Sequence, residues 1–170
     1  MTKPVLIFGY GNPGRGDDVL GPLLLDYIAR HFNLDGIELL SDFQLQIEHA
    51  LDLADRELVL FADSAMPGEI CYKFYELLPE KDRSYTSHAM TPQSVLDVYT
   101  DIHGQSPPAS FLLSIMGETF ELGEGLSPVA RQNLLAAKSL VNELLAEPEI
   151  KTWRRIAEQR QPFRHLIQHK

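Results

Sequence analysis

Residues 5–22 read VLIFGYGNPGRGDDVLGP, and the fold is decided in this stretch. The apolar run Val5, Leu6, Ile7, Phe8 stops at a glycine-rich turn, as a strand buried on both faces does. The turn ends in two adjacent carboxylates, Asp17 and Asp18, where a helical pattern begins. Acids at a helix start lie in the positive end of its dipole, which favours their ionised form. Strand, tight turn and helix in this order place the two acids at the carboxyl edge of a sheet, where open α/β folds carry their chemistry.

Working outward, the chain repeats the pattern. A strand at Pro4–Tyr10 leads to a helix at Val19–Phe32, with Pro22 in its first turn, where a missing N–H costs little. Ile37–Leu40 reads as a short strand, Ile47–Leu53 as a helix, and Leu58–Ala62 as an apolar strand ending at Asp63. After the turn Met66-Pro67-Gly68-Glu69, residues Ile70–Leu78 alternate, which suggests a hairpin strand antiparallel to its predecessor. A polar loop from Pro79 to Thr91 carries His88. Pro92 opens a helix to His103, Ser110–Met116 forms a further strand, and Ser127-Pro128 caps a helix running to Ala146. The expected fold is a three-layer α/β/α sandwich around a mixed, mostly parallel five-stranded sheet.

At 170 residues the chain suits one full core. The expected domain spans residues 1–147, followed by a basic tail at 148–170 with Trp153, Ile156 and Phe163 as anchors and room for a short helix. The net charge of -9 argues against nucleic acid or an anionic membrane as the main partner. The charge is uneven: residues 1–150 hold 9 Lys/Arg against 23 Asp/Glu, and residues 151–170 hold 6 against 1. The single cysteine, Cys71, has no disulfide partner within the chain, and reads as a buried thiol in a strand. The opening residues lack a signal-peptide pattern and no apolar run approaches membrane-spanning length, so the cytoplasm is the expected location.

Gly9-Tyr10-Gly11-Asn12-Pro13-Gly14 matches G-x-G-x-x-G in form only. A dinucleotide site needs free helix N–H groups at the pyrophosphate, whereas Pro13 has none and Asp17 and Asp18 would repel two phosphates. A 2-1-3 strand order would instead bring Asp18 and Asp63 to the same sheet edge. Asp63 alone reads as a turn cap, and His88 alone as an exposed loop imidazole. Together, two carboxylates and an imidazole suit a divalent transition metal with open positions, and equally an acid/base set without metal. His31, His49 and His103 have no evident acid partner and read as structural.

The strand-GN-x4-DD-x2-GP opening, the strand ending Phe61-Ala62-Asp63, the Thr86-Ser87-His88 loop and the Gly-Glu segment before the last helix resemble the hydrogenase maturation endopeptidases. The likeness covers about residues 4–145. It implies an endopeptidase that removes the C-terminal extension from the large-subunit precursor of a nickel–iron hydrogenase, once nickel is in place. It also implies that Asp18, Asp63 and His88 contact the metal and carry or direct cleavage. The nickel comes with the precursor, and another divalent ion can substitute. Asp17 matches the first acid of the pair and has no ligand role in that resemblance. Gly11-Asn12-Pro13-Gly14 also resembles the opening of peptidyl-tRNA hydrolases. This chain has Arg15-Gly16-Asp17-Asp18 where that family supplies a catalytic histidine, and its acidic body suits tRNA poorly. A non-catalytic metal-sensing chaperone is the further alternative.

Overall fold

The computed structural model describes residues 1–81 and 90–160. Five strands form one sheet in the order β2-β1-β3-β5-β4, made of β1 (Val5–Tyr10), β2 (Ile37–Asp42), β3 (Leu58–Ala65), β4 (Tyr72–Leu77) and β5 (Ala109–Met116). The first three and β5 run parallel, so their carboxyl ends share one edge. All six residues of β1 are buried, as are the first five of β3, because helices cover both faces there.

On one face lie α1 (Leu20–His31), α3 (Pro128–Ala146) and α4 (Ile150–Gln159), with Leu24, Ile28, Leu140 and Trp153 in a shared core. The other face is covered by α2 (Pro92–His103) and the 3-10 helix Ile47–Leu53, through Val95, Leu96, Tyr99, Ala50 and Leu53. The three-layer α/β/α sandwich and mixed, mostly parallel sheet agree with the sequence expectation. In α4, Trp153 is fully buried and donates its indole N–H to the Leu144 carbonyl at 2.8 Å, so this helix is riveted into the core by an aromatic side chain. Arg154 pairs with Glu76 on β4, and Arg160 with Glu143 on α3.

Three local details differ from the expectation. Residues 47–53 form a helix as expected, but of the tighter 3-10 kind, longer than such runs usually are. Cys71 is exposed, in the connection that precedes β4, and not buried in a strand. The strand after the Met66–Glu69 turn is antiparallel, but its partner is β5 and not β3. Both sides of β3 are already taken, by β1 and β5. The alternating, half-buried β4 suits the sheet edge, while the mostly buried β5 needs an interior position.

The approach of α1 to the sheet is set by two glycines. A Cβ on Gly21 would lie 2.5 Å from the Ala62 carbonyl oxygen and 2.7 Å from that of Tyr10, and one on Gly9 would lie 2.7 Å from the Gly21 oxygen. Only bare backbone lets this helix begin so close to β1 and β3, and that closeness carries the acid pair to the sheet edge.

Candidate functional site

The acids Asp17 and Asp18 sit in a 3-10 turn, Gly16–Val19, just ahead of α1. Consecutive residues in such a turn diverge by about 120°, so the neighbours have opposite fates. Asp17 is fully buried and accepts from the Glu118, Thr119 and Ser127 amides and the Ser127 hydroxyl at 2.6–3.0 Å. Burial pushes its carboxyl up, but the Ser127 hydroxyl and the three amides outweigh burial and hold it below the usual carboxylate range. This acid is a structural anchor.

Asp18 turns the other way. Its Oδ2 accepts the Asn12 amide at 2.7 Å and its Oδ1 accepts the Ser64 hydroxyl at 3.0 Å. Each oxygen thus has one donor and keeps acceptor capacity for a ligand. The preceding turn folds tightly against it: a Cβ on Gly11, whose φ is +153°, would meet the Asp18 carbonyl oxygen at 1.8 Å. Glycine at position 11 is therefore a steric requirement.

Asp63 ends the buried part of β3, and its Oδ1 accepts the Ser64 amide at 2.7 Å. Burial pushes its carboxyl up to about 7, against the lowering effect of the Ser64 amide and the Tyr10 hydroxyl, and the nearby Asp18 charge adds to the rise. Ser64 links the two acids, giving its amide to Asp63 and its hydroxyl to Asp18. The structure therefore brings Asp18 and Asp63 together at the carboxyl edge. His88 lies outside the described residues. Among the described residues, no group of three His, Cys, Asp or Glu side chains is placed to hold a metal ion.

Asp63 belongs to a polar row that crosses the sheet on the α2 side. Asp42 of β2 lies opposite Tyr10 of β1. Gly9 pairs with Ala62, so the next residues, Tyr10 and Asp63, fall side by side. Ser114 of β5 lies opposite Asp63, and Lys73 of β4 opposite Ser114. Each strand contributes one polar side chain to this row.

A cleft of about 410 Å³ opens beside Asp18, lined by Asn12, Arg15, Asp18, Asp42, Phe43, Gln44 and Gln46. Its far wall is held by a histidine. His49 Nδ1 accepts the Gln46 amide at 2.8 Å, which leaves Nε2 as the N–H that meets Asp42 Oδ2 at 3.2 Å. The expectation that His49 lacks an acid partner is thus corrected: Asp42, seven residues earlier, approaches it at the carboxyl end of β2. The ring is mostly buried and packs edge-on against Phe8 at 4.6 Å between centroids. Sequence reasoning also passed over Ser64, Tyr10 and Asn12. The available signal was position, since each adjoins a predicted strand end or acid.

No protein-family model matches the chain, and no curated protein matches its sequence at a significant level. Solved structures do match. HybD, a hydrogenase maturating endopeptidase from E. coli, superposes with a TM-score of 0.66 at 20% identity, covering 85% of this chain and 93% of that one. HycI, a nickel–iron hydrogenase maturation protease from Thermococcus kodakarensis KOD1, gives 0.63 at 20% identity, covering 85% and 94%. The hydrogenase 2 maturation peptidase from Thaumarchaeota archaeon SCGC_AB-539-E09 gives 0.60 at 24% identity, covering 84% and 98%. Across most of its length, this chain has the fold of the nickel–iron hydrogenase maturation proteases, at low sequence identity.

Proposed function

We propose that this chain is an endopeptidase that removes the C-terminal extension of the nickel-loaded large-subunit precursor of a nickel–iron hydrogenase. Asp18, Asp63 and His88 contact the nickel that the precursor brings and direct the cut. The observation that carries this reading is the meeting of Asp18 and Asp63, 45 residues apart in sequence, around the Ser64 link at the sheet edge. Its fold neighbours include proteins described as maturation proteases, which favours peptide-bond hydrolysis over other chemistry.

The donor set fits such an ion. Two carboxylates with spare acceptor capacity and one imidazole give a mixed O/N environment with positions left open for ligands from the precursor.

The reaction adds water across one amide: its oxygen joins the carbonyl carbon, the C–N bond breaks and the departing amine takes a proton. A carboxylate oxygen of the pair left free by the ion is suited to take the water's proton and return one to the amine. Asp18 is oriented by Asn12 and Ser64 before substrate arrives. The cleft between Asn12 and Phe43 leaves room for a polypeptide to approach Asp18.

The test is incubation of the full chain with nickel-loaded and nickel-free precursor, read by the mass of the product. Shortening of the loaded form alone supports the reading, and His88→Ala should fold yet cut at least 100-fold more slowly, in keeping with loss of a directly acting group. Binding without shortening would favour a non-catalytic chaperone. Release of peptide from peptidyl-tRNA would favour the hydrolase alternative.

A further inference from the structure

Tyr10 stands at the centre of the polar row, and its hydroxyl is unusual among the described residues. The residue is 7% exposed, and its oxygen is shut off from solvent without a hydrogen bond of ordinary geometry. Buried hydroxyls nearly always have a partner, because an unmade hydrogen bond in the interior is costly. One acidic neighbour in the row is already engaged: Asp42 accepts the Phe43 amide at Oδ1 and meets His49 at Oδ2. The other is Asp63, whose Oδ1 holds the Ser64 amide and whose charge is felt at the Tyr10 hydroxyl. The phenol thus already interacts with the Asp63 carboxylate, but outside the geometry of an ordinary hydrogen bond.

We propose that Tyr10 is a positioning residue for Asp63, donating its phenolic O–H to the carboxylate when Asp63 takes hold of a divalent cation. This assignment rests on the metal-contact reading above and adds a residue to it. A carboxylate has two oxygens and free rotation about its last bond, so one donor, the Ser64 amide, leaves its pitch loosely set. A second donor from the opposite strand fixes which oxygen faces the ion. A tyrosine phenol is protonated at neutral pH, so it carries the proton it must donate. Outer donors of this kind typically change metal affinity by about 10- to 100-fold.

The experiment is calorimetric titration of the full chain with nickel(II) chloride, for wild type, Tyr10→Phe and Asp63→Asn, alongside urea unfolding without metal. The inference expects Tyr10→Phe to bind nickel about 10- to 100-fold more weakly. Its metal-free unfolding midpoint should be unchanged or higher, because the variant discards an unsatisfied buried hydroxyl and keeps the ring. Equal nickel affinity in Tyr10→Phe, with binding that Asp63→Asn abolishes, would overturn the role of Tyr10 alone. A parallel loss of metal-free stability would overturn it too, showing a merely structural hydroxyl. Wild-type protein that takes up no nickel, or takes it up equally well as Asp63→Asn, would overturn the metal-contact reading itself.

Discussion

Asp17 and Ser127, 110 positions apart, share two hydrogen bonds: the Ser127 amide reaches Oδ1 at 2.7 Å and its hydroxyl reaches Oδ2 at 2.6 Å. The same hydroxyl accepts the Ala130 amide at 3.1 Å and so caps α3. One oxygen therefore ties the 3-10 turn before α1 to the start of α3. Asp17→Ala should destabilise the protein by about 3 kcal/mol or more, since several buried donors lose their acceptor together. Urea unfolding measures the loss, and faster hydrogen exchange at the Glu118, Thr119 and Ser127 amides would locate it.

Asp63 and Asp17 should pull stability in opposite directions as pH changes. Above about pH 4 an unfolded aspartate has lost its proton, whereas folded Asp63 keeps its own up to about pH 7. Its contribution therefore declines as pH rises from about 4 to 7 and is lost above that, by at most about 4 kcal/mol over the window. Asp17 is depressed, so its contribution is present above the ordinary carboxylate range and lost on acidification through its lower folded value. Asp63→Asn should remove the neutral-side decline and leave the protein more stable than wild type at pH 8, while abolishing precursor cleavage. Thermal unfolding of both proteins from pH 4.5 to 8 checks this.

Gly21→Ala should destabilise by about 1–3 kcal/mol, the usual range for overpacking. The intruding methyl meets backbone carbonyls of β1 and β3 at 2.5–2.7 Å, and neither can swing aside as a side chain would. Chemical denaturation gives the value. An alanine variant as stable as wild type would mean that α1 can slide outward at little cost.

His49→Phe keeps an aromatic ring against Phe8 but removes both ring nitrogens. It should cost about 1–2 kcal/mol, through the orphaned Gln46 amide and the lost Asp42 contact. Exchange of the Gln46 amide should quicken, while amides in β5 keep their protection.

Much of the architecture is legible in the sequence because β1, β3 and β5 are covered on both faces and read as mostly apolar runs. The helix starts at Pro92 and Pro128 are legible for a local reason: Thr91 and Ser127 accept the amides three residues on, and proline needs no donor there. The partner of β4 is not legible, since alternation reports a half-buried strand without naming its neighbour. The acid pair is half legible. Two aspartates before a helix announce an anionic corner, but which one faces inward depends on the pitch of a 3-10 turn and on a segment a hundred residues away. The His49–Asp42 contact likewise depends on how the 3-10 helix folds back onto the end of β2, which residue spacing alone does not encode.

The anchoring of Asp17 by Glu118, Thr119 and Ser127 also bears on synthesis. A ribosome delivers the amino-terminal acids first and their restraints last. Until the chain has emerged past position 127, the corner that aims Asp18 has no far side to lean on. A nascent or truncated polypeptide lacking that segment therefore carries the acids without their alignment, and the enzyme proposed above would be armed only after it has emerged.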